Sequence, residues 1–282
     1  MPTIQSLLTS SASTLLSISD SAGLDVEVLL CHVLEKNRSY LRTWPEKQLT
    51  ESQLDQFSHL LKQRQQGQPI AYITRTREFW SRDFYVDSNV LIPRPDTETL
   101  IELCLQLIQY KPDAKLIDLG TGSGAIAITL AAECPQLKVT AVDNSMKALH
   151  IAQKNAQLNQ TPGIRFLQSD WLSQLAHESF DFIVSNPPYI DPDDPHLAQG
   201  DVRFEPDSAL IAEQQGLQDI IHISKQSQTY LNNEGYLILE HGYNQKQCVH
   251  DILQQHHYQN IHCLHDLANQ PRVSYAQWLT NN

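Results

Sequence analysis

A short apolar strand that runs into a glycine-spaced loop and then into an alanine- and isoleucine-rich helix limits this chain to few folds. Lys115-Leu116-Ile117-Asp118-Leu119 is the strand, Gly120-Thr121-Gly122-Ser123-Gly124 the loop, and Ala125 to Ala132 the helix. Glycines let the backbone turn sharply and let a ligand approach the main chain, and the following helix N-terminus favours a negative group. Strand, loop and helix in that order open a Rossmann-like α/β domain. A second strand, Lys138 to Val142, ends at Asp143. A carboxylate about twenty residues past the glycines can accept hydrogen bonds from both ribose hydroxyls of an adenosyl cofactor.

The spacing narrows the cofactor. Ala125 stands where the dinucleotide fingerprint has its third glycine, and no Gly-Lys-Ser/Thr closes the loop as in a phosphate-binding P-loop. A third strand, Ile164 to Leu167, leads to Ser169-Asp170-Trp171. There a carboxylate can accept from the adenine amine and an indole can cover its face; ordinary packing of Trp171 is the plain alternative. A fourth strand, Phe180 to Ser185, delivers Asn186-Pro187-Pro188-Tyr189. Two prolines fix two φ angles and remove two N–H donors. What remains is a corner of acceptors, the Asn186 side-chain carbonyl and main-chain carbonyls, beside the flat Tyr189 ring. Such a corner complements a planar –NH2 group. A proline-rich turn after a strand would read the same way from these four residues alone.

Composition limits the partners. The 282 residues carry a net charge of −12, against the basic face of a protein that binds by neutralising phosphates, so direct nucleic-acid binding is not expected. The first thirty-five residues hold no Lys or Arg, so no signal peptide is expected. No apolar run approaches the ~20 residues that span a bilayer. The five cysteines, Cys31, Cys104, Cys134, Cys248 and Cys263, form no Cys-x-x-Cys pair and read as buried thiols of a reducing cytoplasm.

Around this centre, residues 1–70 read as a helical domain, with Leu7, Leu8, Leu15 and Leu16, then Val26, Leu29, Leu30 and Val33, at helical spacing and Thr50 capping a further helix. Residues 71–98 read as a β-hairpin and proline-rich linker. Ile70-Ala71-Tyr72-Ile73 and Phe79-Trp80 supply β-forming residues, and Asp96 or Thr97 is placed to cap the next helix. Residues 99–282 complete the α/β domain, whose last strands make a seven-stranded sheet. Asp191, Asp193, Asp194, Asp201, Glu205, Asp207, Glu213 and Asp219 surround the single base Arg203. They read as a solvated acidic loop, or as an acidic lip for a basic protein segment. His256, His257, His262, Cys263 and His265 lack a zinc spacing, and no metal is expected.

The motifs together resemble a known family. Asp118 to Gly124 with Asn186-Pro187-Pro188-Tyr189 look like an S-adenosylmethionine-dependent methyltransferase acting on a planar nitrogen. Gly67-Gln68-Pro69-Ile70-Ala71-Tyr72-Ile73, Leu91-Ile92-Pro93-Arg94-Pro95-Asp96-Thr97-Glu98, Ser169-Asp170-Trp171 and Phe204-Glu205-Pro206 resemble the peptide chain release factor glutamine methyltransferases. The resemblance implies a class I methyltransferase domain preceded by a small all-helical, substrate-recognising domain. It implies a cytoplasmic, monomeric enzyme that methylates the glutamine of the Gly-Gly-Gln tip of class I release factors, with S-adenosyl-L-homocysteine as product. By motif, Gly120, Thr121, Gly122, Ser123, Gly124, Asp143, Asp170 and Trp171 would hold the cofactor. Asn186 would touch cofactor and substrate, and Pro187, Pro188 and Tyr189 would frame the glutamine. Arg75 departs from the pattern, which has a glycine there. Two other readings stay open: an exocyclic-amine methyltransferase of adenine or guanine in DNA or RNA, and a non-catalytic cofactor-binding adaptor.

Overall fold

The helical spacing at the start of the chain is realised in α1 (Ile4–Leu15), α2 (Ala22–Leu34), α3 (Arg38–Thr43) and α4 (Glu51–Gln65), followed by the short α5 (Ile70–Thr74). These come from a computed structural model that describes residues 1–176 and 178–280. Thr50 opens α4 with a capping box: its hydroxyl accepts from the Gln53 N–H at 3.3 Å, and the Gln53 side chain accepts from the Thr50 N–H at 3.0 Å. Ile4, Leu15, Leu29, Leu30 and Phe57 form the centre of a separate apolar core. Contacts divide the chain into two units, and this first one comprises Met1–Thr76 together with Pro195–Phe204. The inserted stretch is held by charge. Buried Arg64 donates to Asp25 at 2.7 Å and to Asp201 at 2.9 Å. Asp201 is therefore an ion-pair partner rather than part of a free acidic lip.

One reading of this region is corrected. Residues 70–73 are helical, not extended, because Pro69 starts a turn whose carbonyl accepts from the Tyr72 and Ile73 N–H groups. The turn ends at Arg75, which takes φ +60° in the left-handed region. A side chain there costs roughly 1–2 kcal/mol relative to glycine, which gives the departure at this position a physical meaning.

The second unit contains Arg77–Asp194 and Glu205–Asn282. Its hairpin, β1 (Thr76–Phe79) and β2 (Arg82–Tyr85), precedes α6 (Glu98–Ile108), β3 (Lys115–Leu119), α7 (Ala125–Glu133), β4 (Lys138–Asp143), α8 (Met146–Leu158), β5 (Arg165–Gln168) and β6 (Phe180–Ser185). The single turn α9 (Glu213–Gly216), then α10 (Gln218–Tyr230), β7 (Leu231–Glu240), α11 (Lys246–Gln255), β8 (Gln259–His265) and β9 (Pro271–Trp278) follow. The seven-stranded sheet runs β5-β4-β3-β6-β7-β9-β8. β5, β4, β3, β6 and β7 run parallel to one another, and β9 is antiparallel to both β7 and β8. Successive strand residues serve opposite faces. Leu116, Val139, Phe182 and Ile238 join one core, and Ile117, Val142, Ile183 and Leu237 the other. Both faces are covered, as a parallel sheet requires. Among the described residues no helix is long and apolar enough to cross a membrane. The expectation of buried thiols holds for Cys104 alone; Cys248 is exposed and Cys31, Cys134 and Cys263 are half-buried.

One buried side chain ties three of these elements together. Asn155 of α8 accepts from the Tyr85 N–H at 2.7 Å and donates to the Tyr85 carbonyl at 2.9 Å and the Ser123 carbonyl at 2.8 Å. The hairpin and the glycine loop are thus braced by one amide. Asn155→Ala leaves those main-chain groups unpaired, and is expected to lower the unfolding free energy by about 2–4 kcal/mol, read as a lower urea midpoint.

Candidate active site

Chain order reverses across the β3–β6 pair: β4 and β5 lie to one side of β3, and β6 and β7 to the other. α/β sheets bind ligands at such a switch point, beyond the carboxyl ends of the strands. Leu119 is in register with Ser185, and the Ser185 hydroxyl donates to the Leu119 carbonyl at 2.8 Å. Gly120 and Asn186, the next residue on each strand, therefore leave the sheet side by side.

The glycines are sterically required. Gly120 has φ +71°, and a Cβ there would meet the Trp171 ring at 3.3 Å. Gly124 has φ +84°, and its Cβ would lie 2.6 Å from Ile128 Cδ1 and 3.2 Å from Ala152 Cβ. The first lets an indole lie on the loop; the second lets α7 start against α8. Between them, the Gly122 N–H donates to Asp143 Oδ2 at 2.9 Å, while Asp143 Oδ1 accepts from the Ser145 N–H at 2.9 Å. Burial raises the Asp143 pKa, and these two N–H groups oppose the rise. Asp118 is fully buried beneath the loop, where Oδ2 accepts from the Thr121 hydroxyl at 2.6 Å and Oδ1 has no partner among the described residues. Burial pushes its carboxyl up to about 7 against the pull of that hydrogen bond.

A cavity of about 220 Å3 opens here. Of the site residues expected from the sequence, Gly120, Thr121, Gly122, Ser123, Asp143, Asp170, Trp171, Asn186 and Pro188 line it; Gly124, Pro187 and Tyr189 do not. Trp171 sits at φ +48°, its carbonyl accepting from the Ser169 hydroxyl at 2.7 Å and its indole N–H hydrogen-bonded to Asp219. Asp219, placed by sequence in an acidic lip, instead orients this ring. Glu205 is likewise no lip residue. It is buried, accepts from the Ile92 N–H at 3.2 Å and pairs with Arg94. That pair gives Arg94 a partner next to the cavity.

Thr97 also departs from expectation. It makes no side-chain cap to α6; its hydroxyl accepts from the Asn186 side-chain N–H at 3.2 Å. The Tyr189 hydroxyl turns to Glu240, donating to Oε1 at 3.3 Å. Glu240 is fully buried at the end of β7, and burial pushes it up to about 7 despite Thr97, Arg272 and Tyr189 nearby. The sequence gives Thr97 only a capping role, Asp118 only a place at the head of the glycine-loop motif, and Glu240 only a place at a strand end. The available signal was a carboxylate closing the apolar run Leu237-Ile238-Leu239 on the ligand side of the sheet.

The lining fits an adenosyl cofactor. The loop offers a cradle that a Cβ would fill, Asp143 keeps lone pairs for hydroxyls, and Trp171 and Asp170 offer a ring face and an acceptor.

The chain is similar to known methyltransferases. A family described as "Methyltransferase small domain" matches residues 96–201, and "PrmC N-terminal domain" matches residues 6–74. A protein of Aliivibrio fischeri named release factor glutamine methyltransferase is 47% identical over 282 residues, covering 99% of each chain. One of that name from Escherichia coli K12 is 49% identical over 234 residues, 83% of this chain and 84% of the relative. Among solved structures, a methyltransferase from Pyrococcus furiosus aligns with a TM-score of 0.54 at 14% identity, covering 79% of this chain and 100% of its own, which is a likeness of fold.

The buried Asp118 has a consequence for stability. A carboxyl whose pKa is higher folded than unfolded stabilises the fold through its bound proton. That contribution is complete below the unfolded value of about 4 and is lost as the pH rises through the folded value. For Asp118 the folded value is about 7. Asp118→Asn is therefore expected to gain on the wild type by roughly 2–6 °C in Tm when the pH is raised from about 5.5 to 8.5, checked by paired thermal melts.

Proposed function

The chain belongs to the release factor glutamine methyltransferase family, and from that premise we propose that it methylates N5 of the glutamine in the Gly-Gly-Gln tip of class I release factors. It is an S-adenosylmethionine-dependent methyltransferase. A cytoplasmic location goes with such a substrate. The observation that carries the finer reading is the position of Asn186: its carboxamide lines the cavity rimmed by the glycine loop and Asp143, and its NH2 group is engaged by Thr97. The amide oxygen then remains as an acceptor.

Bound in that cavity, S-adenosylmethionine supplies an electrophilic methyl group on a sulfonium. Gly120 to Ser123, Asp143, Asp170 and Trp171 are the residues that would hold it. A carboxamide nitrogen is a poor nucleophile because its lone pair is delocalised into its carbonyl. The Asn186 oxygen and a main-chain carbonyl of the same corner accept its two N–H bonds, fixing the amide plane and aiming the nitrogen in line. Holding reacting atoms at ~3–3.5 Å replaces an unfavourable encounter and supplies much of the rate. The same acceptor dipoles favour the positive charge that grows on nitrogen. The N-methylated amide is acidic at that moment and gives its proton to water, so no dedicated base is required. Pro188 closes the wall on the cavity side.

The test uses purified enzyme, methyl-labelled S-adenosylmethionine, and a class I release factor beside a copy whose Gly-Gly-Gln glutamine is replaced by alanine. Label on the first and none on the second is the expected result. Label on neither, but on added DNA or RNA, would move the substrate to a nucleobase amine. Asn186→Ala is expected to lower turnover by about 100-fold or more with cofactor affinity within about three-fold, measured by single-turnover kinetics and calorimetry.

A further inference from the structure

Among the described residues that line the cavity, Arg94 is the sole basic side chain. Asp143, Asp170 and Asp219 line it too, so acids outnumber the base. The two signs are set apart along the sheet. Asp143 ends β4 and Asp170 follows β5, the two strands beyond β3. Arg94 belongs to the other end. Its carbonyl accepts from the Thr97 N–H at 3.2 Å, closing a single turn, and the Thr97 hydroxyl accepts from the side chain of Asn186, the residue after β6. With strands ~4.8 Å apart, β5 and β6 are separated by about 14 Å.

The cofactor is just as uneven in charge. Its adenosine offers hydroxyls and an amine, which suit acceptors. Its methionyl end carries an α-carboxylate. With the ribose at Asp143 and the adenine at Asp170 and Trp171, the methionyl end runs past Gly120 toward β6. A carboxylate entering a cavity lined by three acids loses water and is repelled, unless a cation receives it.

Arg94 is held for such a contact. Its Nη2 pairs with Glu205, and the two side chains differ in depth: Glu205 is 0% exposed and Arg94 31%. Glu205 is fixed in turn by the Ile92 N–H, which donates to it at 3.2 Å. The acid therefore lies behind and the guanidinium in front, at the cavity. A guanidinium has five N–H donors in a rigid fork, so one pairing leaves donors for a second acceptor.

We propose that Arg94 receives the α-carboxylate of the bound cofactor, and that Glu205 is the positioning residue that aims the guanidinium at that end of the cavity. The inference rests on the cofactor alone and is independent of which nitrogen accepts the methyl group.

The test compares full-length wild type with Arg94→Lys, Arg94→Met and the Arg94→Met/Glu205→Gln double variant. Calorimetry gives each one's Kd for S-adenosylhomocysteine and for S-adenosyl-3-thiopropylamine, which keeps the amine and lacks only the carboxylate. Tm and KM for a release factor are measured beside them. Wild type is expected to bind the decarboxylated ligand about 10–100-fold more weakly than S-adenosylhomocysteine. Arg94→Met is expected to lose about the same factor for S-adenosylhomocysteine and to bind the decarboxylated ligand within about three-fold of wild type, because both changes remove one contact. Arg94→Lys keeps the charge without the fork and is expected to lose about 3–10-fold. Arg94→Met leaves a buried acid unpaired; if it does not fold, the double variant, which removes that charge, and Arg94→Lys decide by the same two ligands. Unchanged affinity for S-adenosylhomocysteine overturns the proposal. So does an equal loss for both ligands, which is the mark of a purely structural role. A raised KM for the release factor with S-adenosylhomocysteine affinity intact gives Arg94 to the protein substrate instead, and also overturns it.

Discussion

Parallel pairing of β3 with β6 is the constraint on which the catalytic half of this protein depends. Two stretches separated by some sixty residues are brought together because Leu119 and Ser185 share a register and a side-chain hydrogen bond. A slip of one residue would send every side chain of β6 to the opposite face. Phe182 and Ile183 feed different cores, so the register is held from both sides of the sheet. The loop after β3 and the corner after β6 are therefore positioned by the cores rather than by their own contacts.

Electrostatics around the cavity follow from dryness. Asp118 and Glu240 are both fully buried and both pushed up to about 7. Asp143, nearer the cavity, shares its two oxygens with the Gly122 and Ser145 N–H groups. Each carboxylate thus has a local job: one under the loop, one on its rim, one behind the proline corner. Glu205 does similar work, joining the Ile92 main chain to Arg94, which lines the cavity. A chain with net charge −12 therefore buries several of its acids around one cavity. Buried acids must be hydrogen-bonded or paired, which stiffens the segments that bond them.

The helical unit is organised by the same kind of interaction at a different place. Arg64 is buried and reaches both Asp25 on α2 and Asp201 in the inserted Pro195–Phe204 stretch. Arginine suits this role because its planar fork serves several acceptors at once. A segment that is acidic and irregular in sequence is thereby given a fixed partner. The same stretch carries Arg203 over the Phe204 ring at 5.0 Å.

What the amino-acid sequence determined by itself were the local features with short-range causes. The strand–glycine loop–helix unit, the Thr50 capping box, and Asp143 at a strand end are set by periodicity and backbone sterics, and they were legible. So was the corner Asn186-Pro187-Pro188-Tyr189, because prolines restrict the chain whatever surrounds them. The helical turn at Ile70–Thr74 was misread because its β-forming side chains were weighed without the turn that Pro69 begins. Tertiary structure alone decided the rest. Thr97 stands where a helix cap belongs, and only the fold brings Asn186 to it across 89 residues of chain. Glu240 is one acid among many in the sequence, and becomes distinctive only once packing removes it from water. Glu205, Asp201 and Asp219 likewise looked solvated until their partners Arg94, Arg64 and Trp171 arrived from distant elements. Backbone preferences act over a few residues and can be read along the chain; burial and long-range pairing depend on neighbours that only the folded state supplies.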